Sequence, residues 1–238
     1  MFKCRASAIG NIVTLPRSKK DREAGVLSKT AQTYVQDWLK GQSDFYNRRK
    51  TFSSKYTRKG NEVEDASLDF AAEMLGYHFL FKNEQHFSND WITGIMDAIP
   101  EDCVIDVKNS WDQHTFPIFA DEIPNKYYWW QGQGYMWLTG RTKYKLVYTL
   151  TDTPADLIYS EARRYCYNSG LDLDLYLDEV YEEFVERMTY SDIDPHLKIK
   201  VFEFGADPEA IKLIRDRVEA CRKYVDELIE KTEMIIQV

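Results

Sequence analysis

Asp106 and Lys108, an acid and a lysine two positions apart, are the residues whose spacing first suggests chemistry. They lie in the apolar segment 103–111, which has the composition of a β-strand, so both side chains project from one face. Asp97 lies in the preceding segment 91–99, and a turn at 100–102 predicts a hairpin between the two segments. Cross-strand neighbours in a hairpin approach to about 5 Å. Two carboxylates and one ammonium group are therefore expected to converge.

Such a group predicts a site for a divalent metal and for phosphoryl chemistry. Mg²⁺ prefers carboxylate oxygens, usually keeps several waters and takes phosphate oxygens as further ligands. The bound ion generates hydroxide and stabilises the charge of a phosphoryl transition state. We expect Lys108 to orient or help deprotonate the attacking water, or to neutralise charge on the scissile phosphate.

An amphipathic helix predicted over 61–75, ending near Gly76, supplies a third acid. At about 100° per residue, Glu64 falls inside the apolar arc of this helix, whereas Glu62 falls outside it. A carboxylate that faces the core is costly unless a cation compensates it. The prediction is that Glu64 joins Asp97 and Asp106 as a metal ligand, with Glu62 as the alternative.

A further helix, predicted over 125–140, carries Gln131 and Tyr135 four residues apart and so on one face. An amide and a phenol can bind phosphate oxygens or position the catalytic lysine. Taken alone, these two residues are more typical of polar positions on a core helix. An acid and a lysine two apart are also common as a surface salt bridge, so it is the order of these signals along the chain that carries the prediction.

The remaining elements follow from hydrophobic periodicity. Helices are predicted over 21–39, 155–168, 172–190 and from 207–208 onward, and strands over 77–87, 143–150 and 196–204. The polar stretch 41–60 lacks a period and is typical of a mobile loop. The last helix carries a regular apolar stripe from Ile211 to Leu228. This stripe favours packing on the core of the same chain, with a subunit interface as the alternative.

Composition excludes several classes of protein. The 238 residues are 44% hydrophobic with 11 Gly and 7 Pro, which excludes collagen-like and disordered chains. No apolar run approaches the roughly 18 residues of a membrane span and no signal peptide begins the chain, so a cytoplasmic location is expected. Four cysteines without metal or disulfide spacing predict free thiols. The net charge of −8 hides a basic segment, 1–60, which can line a phosphate-binding surface or be a solvated face.

Together these motifs resemble the PD-(D/E)XK nuclease superfamily, in the branch of lambda-type phage exonucleases, YqaJ-like viral recombinases and RecB nuclease domains. The resemblance covers most of the chain: a helical acid after Gly60, then Gly94-x-x-Asp97, Asp106-x-Lys108 and Gln131-x-x-x-Tyr135. The opening KCRASAIGNIVT resembles the N-terminal R-x-S segment of the family. Two departures are Asp106, where many relatives have Glu, and Met96, where the superfamily has Pro.

The resemblance implies an α/β fold, with a restriction-endonuclease-like core in which a small central mixed sheet is flanked by helices. One nuclease domain spans 1–238, with a basic DNA-binding segment 1–60, a catalytic core 61–150 and a mostly helical elaboration 151–238. The implied catalytic residues are Glu64, Asp97, Asp106, Lys108, Gln131 and Tyr135. The resemblance implies that Arg5 and Ser7 help hold the DNA. The charge of the basic segment adds Arg17, Lys19, Lys20, Arg48 and Arg49 as expected DNA-binding residues.

The implied activity is hydrolysis of linear duplex DNA from an end, 5′ to 3′, with Mg²⁺ or Mn²⁺, in phage-type recombination inside a bacterial host. A single-strand annealing protein is a candidate partner, and some relatives form a toroidal trimer. The spacing of the cysteines does not match the iron–sulfur nucleases, so no cluster is predicted. The alternatives are a structure- or sequence-specific endonuclease of the same superfamily and a non-catalytic DNA-binding recombination protein.

Overall fold

Helices surround two small sheets in residues 1–48 and 53–236, the part of the chain that the computed structural model describes. The strands are β1 (Cys4–Arg5), β2 (Phe87–Ser88), β3 (Ile92–Gly94), β4 (Val104–Asn109), β5 (Lys143–Thr149) and β6 (Ile199–Gly205). The helices are α1 (Ile9–Ile12), α2 (Lys19–Glu23), α3 (Lys29–Lys40), α4 (Lys55–Glu62), α5 (Glu64–Leu75), α6 (Lys126–Thr139), α7 (Ala155–Ser169), α8 (Leu173–Met188) and α9 (Pro208–Ile236). This arrangement confirms the mixed α/β class.

The sheets are mixed, but there are two of them among the described residues rather than the one central sheet expected. The first has the order β1-β3-β2, with β1 parallel and β2 antiparallel to β3. The second has the order β4-β5-β6, with β4 parallel and β6 antiparallel to β5. Strand β4, which carries Asp106 and Lys108, therefore pairs along its length with β5.

The predicted hairpin between 91–99 and 103–111 shrinks to a single antiparallel bridge between Ala98 and Ile105. A longer ladder would pair the Val107 amide with the Met96 carbonyl. Instead Val107 N–H donates to the Asp97 carboxylate at 2.7 Å, and the Met96 carbonyl accepts from Asn83 Nδ2 at 3.0 Å. The side chain of Asp97 thus replaces the backbone partner and ends the pairing.

Other sequence predictions were wrong in detail. The stretch 41–60, predicted as a loop, contains most of α4, and the helix predicted from residue 61 begins at Glu64. The strand predicted over 77–87 is a strand only at Phe87–Ser88, because its apolar residues Phe79 and Phe81 are exposed rather than packed on a sheet. The helix predicted over 21–39 divides into α2 and α3. Gly25, at φ +69°, breaks it, and Ser28 caps the start of α3.

Alternate residues of β4 pack in two different apolar clusters. Val104 joins the larger cluster with Leu146 and Ile214, beneath α6 and α9. Ile105 and Val107 join the smaller cluster, against α5. The strand thus has apolar neighbours on both faces, which is why Asp106 is buried as well, whereas Lys108 and Asn109 at its end are half-buried.

Most of the α9 stripe confirms the core-packing prediction, because Ile214, Val218 and Cys221 are fully buried and Val225 is nearly so. The four cysteines are buried and free. None of the described helices is long and apolar enough to cross a membrane.

Helix α6 contains glycines because its neighbours leave no room for a side chain. A Cβ on Gly132 would lie 2.6 Å from Phe204 Cζ and 3.0 Å from Tyr144 Cδ1. Two aromatic rings therefore pack directly on the helix backbone. By contrast, a Cβ on Gly60 in α4 would meet nothing within 4 Å.

These two glycines give a matched test of the packing. We expect Gly132→Ala to lower the free energy of unfolding by about 1–3 kcal/mol, because overpacking outweighs the gain in helix propensity. Gly60→Ala should raise the same free energy by up to about 1 kcal/mol. Chemical denaturation of both variants measures the difference, and a stabilised Gly132→Ala would contradict the packing described here.

Candidate active site

Asp106 and Lys108 project from the same face of β4, as predicted, and form an ion pair between a buried acid and a half-buried lysine. Lys108 Nζ lies 2.5 Å from Asp106 Oδ2, and the Asp106 side chain is only 1% exposed. Burial disfavours the ammonium form of Lys108, but the carboxylates of Asp106 and Asp97 outweigh it and raise the lysine pKa well above its ordinary value. Lys108 is thus a fixed positive charge. Its Nζ also lies 5.3 Å from the centre of the Tyr128 ring.

Asp97 meets this pair from the neighbouring segment. Its Oδ2 accepts the Val107 N–H at 2.7 Å, which fixes the carboxylate beside β4. Burial, together with the negative charge of Asp106, raises the pKa of Asp97 to about 7. Asp97 and Asp106 are therefore close enough to repel each other, as the sequence predicted from their spacing.

Gln131 and Tyr135, on α6, pack against the Asp106 side of the site. Gln131 Nε2 donates to Tyr135 Oη at 2.9 Å and lies 3.5 Å from Asp106 Oδ1. Both side chains are at least 94% buried. The sequence suggested that these residues bind phosphate or position the lysine. The structure shows a different contact, because the amide of Gln131 faces the carboxylate of Asp106.

Tyr144 is a residue of this site that sequence reasoning missed. It is fully buried on β5, on the same face as Asp106, because it pairs with Val104 in register. Burial raises the pKa of its phenol well above the ordinary value, and the charge of Asp106 raises it further. The signal was present in the alternation of Tyr144, Leu146 and Tyr148, but the sequence does not reveal that β5 lies beside β4 in this register.

Glu64 lies at the first position of α5, at the edge of the site. The negative charge of Glu64 contributes to the raised pKa of Asp97, so Glu64 lies within electrostatic range of that acid. Its carboxylate is 33% exposed and lies 3.4 Å from Lys82 Nζ, so it does not face the core as expected. Glu62 instead binds Arg58, with Oε1 2.8 Å from the guanidinium Nε.

The donor set of Asp97 and Asp106 fits a divalent cation. Asp106 Oδ2 lies 2.5 Å from Lys108 Nζ and, within the described residues, makes no hydrogen bond of regular geometry, although the buried Tyr144 phenol interacts with the same carboxylate. A cation would share this anionic oxygen with Lys108. Two carboxylates, completed by water and a substrate phosphate, are a usual set for Mg²⁺. In the described part of the chain no three acidic, histidine or cysteine side chains converge on one metal position, because Glu64 pairs with Lys82.

Comparison with known proteins places this chain in a family. A phage-related exonuclease from Haemophilus somnus 129PT has a similar structure, with a TM-score of 0.78 and 30% sequence identity over 97% of this chain and 96% of that one. The chain belongs to the phage-type exonuclease family. This is the lambda exonuclease and YqaJ-like branch of the PD-(D/E)XK nucleases, as the motifs predicted.

Two further solved structures share the fold at lower identity. The alkaline exonuclease LHK-Exo from Laribacter hongkongensis matches with a TM-score of 0.63 and 14% identity, over 99% of this chain and 93% of that one. A second structure of LHK-Exo, in complex with dAMP, matches with a TM-score of 0.64. No protein-family profile and no curated protein sequence matches this chain.

The basic segment of this exonuclease-family chain divides into two groups. Lys55 binds Glu161 at 2.5 Å, and Arg58 binds Asp156, so both tie α4 to α7. Lys59 is 99% buried and donates to the carbonyl of Trp111 at 2.9 Å. The surface for phosphate expected from the sequence therefore does not include these three residues, whose charges are used inside the protein.

The residues predicted by name to bind DNA lie at the surface wherever the structure describes them. The described ones have exposed side chains: Arg5, Ser7, Arg17, Lys19, Lys20 and Arg48. Arg49 lies outside the described residues. Arg5 pairs in register with Thr93 on β3, the strand that leads to Asp97, and Ser7 follows it by two residues. Lys19 lies 3.7 Å from Glu23 along α2.

Lys59 gives a test through pH. Burial lowers the pKa of Lys59 to about 8, partly offset by Asp112 and Asp152. Between that value and the unfolded value of about 10.4, the unfolded chain binds more protons, so stability from this group rises with pH. We expect Lys59→Met to remove this rise.

The measurement is the free energy of unfolding of wild type and Lys59→Met from pH 7 to pH 9.5. The free energy of unfolding of wild type should rise with pH relative to that of Lys59→Met. Over the full interval between the folded and unfolded pKa values of Lys59, this rise should total on the order of 3 kcal/mol. A difference that stays constant with pH would mean that Lys59 is solvated.

Proposed function

We propose that this chain is a metal-dependent exonuclease that hydrolyses linear duplex DNA from its 5′ end in phage-type recombination. The observation that carries the proposal is the cluster of buried Asp106 with the half-buried Asp97 and Lys108, two carboxylates and a charged lysine. Such a group has little use in a protein that only binds DNA, because buried charges cost stability. Mg²⁺ or Mn²⁺ is the proposed cofactor.

In this proposal Asp97 and Asp106 hold the metal, with Glu64 reaching it directly or through water. The ion would supply a more acidic water and a positive charge beside the phosphate. Gln131 keeps the Asp106 carboxylate in place through Oδ1, and Val107 N–H does the same for Asp97. Because these donors are preorganised, the acids need not rearrange during the reaction.

Lys108 acts on the substrate in this proposal. Its ammonium stays protonated and can donate to a phosphate oxygen, which gains charge as water attacks phosphorus. The water oxygen bonds to phosphorus, and the 3′ oxygen of the released nucleotide leaves and takes up a proton. The product is then a nucleoside 5′-monophosphate. The complex of LHK-Exo with dAMP supports this product class.

The proposed DNA-binding surface is made of the exposed residues Arg5, Ser7, Arg17, Lys19, Lys20 and Arg48. Their positive charges would neutralise backbone phosphates and make binding depend on salt. Arg5 and Ser7 are proposed to hold the DNA near its end, since they lie beside the strand that leads to Asp97. An annealing protein and a trimeric ring are proposed on family resemblance alone.

The first experiment compares wild type with Lys108→Ala on end-labelled linear duplex DNA and on closed circular DNA. We expect Mg²⁺-dependent release of nucleotides from linear DNA only, lost with EDTA and reduced at least about 100-fold in Lys108→Ala. Lys143→Ala, an exposed lysine on β5, is the matched control. Cutting of circular DNA would support an endonuclease, and binding without any turnover a non-catalytic recombination protein.

A second experiment decides which acid of α4–α5 serves the site. Glu64→Gln should raise the metal concentration needed for half-maximal activity about tenfold or more, since its charge lies near Asp97. Glu62→Gln should leave that concentration unchanged, because Glu62 only binds Arg58. A larger effect from Glu62→Gln than from Glu64→Gln would overturn the assignment.

A further inference from the structure

The outer edge of β6 has backbone groups that no other strand in the described part of the chain uses. Leu150 N–H donates to the Lys198 carbonyl and Ala206 N–H to the Thr142 carbonyl, which fixes the phase of the antiparallel ladder with β5. Hydrogen-bonded pairs alternate in such a ladder, so even-numbered residues of β6 bond to β5 and odd-numbered ones point away. The amides and carbonyls of Val201 and Glu203 therefore face outward.

The end of the strand agrees with this phase. The carbonyl of Gly205, an odd-numbered residue, accepts a hydrogen bond from Gln133 Nε2 at 3.0 Å rather than from β5. Within the described residues no comparable bond reaches Val201 or Glu203 from outside the sheet. This part of β6 is thus an open edge, which is a template for another strand.

An aromatic cleft of about 600 Å³ lies along the same edge. Its apolar walls are Ile123, Trp129, Trp130, Val201 and Phe204. The Trp129 and Phe204 rings stack with centres 6.3 Å apart and planes 30° apart. The cleft can therefore receive an apolar side chain from a segment that lies against β6.

The rim of the cleft is acidic. Asp121, Glu122 and Glu203 contribute carboxylates, against Lys126 among the described lining residues. The side chain of Glu203 is 64% exposed, although it lies 3.4 Å from Lys145. This charge repels nucleic acid and acidic segments and favours a basic one.

We propose that this edge binds an extended, basic segment of a partner protein as an additional strand beside β6. The backbone of Val201 and Glu203 would bond to the segment, one apolar side chain would enter the cleft against the stacked Trp129 and Phe204 rings, and neighbouring lysines or arginines would meet the acidic rim. Main-chain bonds give the affinity in this mode, and the alternate side chains give the specificity. The proposal uses none of the residues assigned to catalysis.

The test uses the full chain and a fluorescein-labelled peptide of alternating lysine and leucine, with binding followed by fluorescence anisotropy. Glu203→Lys should weaken binding at least about tenfold, whereas Glu227→Lys, the same charge change at an exposed site on α9, should leave it unchanged. Val201→Pro should also weaken binding about tenfold, because it removes an outward N–H without removing a bond to β5. An alternating glutamate and leucine peptide should not bind.

Thermal melting confirms that each variant is folded, and Glu203→Lys, at an exposed position, keeps the test valid if Val201→Pro does not fold. The proposal is overturned if wild type does not bind the basic peptide at concentrations up to about 1 mM, or if Glu203→Lys and Glu227→Lys bind it equally. It is also overturned if sedimentation shows that the edge instead pairs two copies of this chain, with self-association lost in Glu203→Lys. Nuclease activity is a separate readout, so its absence would not bear on this result.

Discussion

Asp106 is a carboxylate buried inside a strand, with the ammonium group of Lys108 beside it on the same face. Taking such charges out of water costs several kcal/mol each, and their attraction offsets this only with good geometry and further hydrogen bonds. Gln131 on α6 supplies one further contact, and Tyr144 on β5 adds a polar neighbour. Both α6 and β5 therefore contribute polar groups that accommodate this pair.

The incomplete pairing of β4 is part of the same arrangement. On one edge, β4 pairs with β5, but on the other edge its contact with 91–99 ends after the Ala98–Ile105 bridge. The Val107 amide that is left over binds the Asp97 carboxylate and brings the second acid to the first. A continuous hairpin would satisfy that amide with a carbonyl and leave Asp97 unheld. The site thus lies where backbone pairing stops.

Much of the site could be predicted from the sequence because its residues obey short periods. Asp106 and Lys108 share a face since strands have a period of two, and Gln131 and Tyr135 share one since helices return after four residues. Contacts between distant elements have no such signal. Neither the neighbourhood of Tyr144 and Asp106 nor the burial of Lys59 under Trp111 follows from local pattern. Lys59 belongs to the basic segment 1–60, which the sequence predicts either to line a phosphate-binding surface or to be a solvated face. Glu64 lies on the predicted side of its helix, but Lys82, from a segment predicted as a strand, draws its carboxylate outward.

The central claim is that Asp97 and Asp106 together hold a divalent cation beside Lys108. Anomalous diffraction from crystals of the wild-type protein soaked in Mn²⁺ tests it most directly, because it locates the ion without reference to activity. A manganese peak is expected within direct coordination distance of a carboxylate oxygen of both acids, close to the roughly 2.0–2.1 Å of Mg²⁺, and it should be absent in crystals of Asp106→Asn. Manganese bound only elsewhere, with Asp97 and Asp106 free of metal in well-ordered crystals, would contradict it.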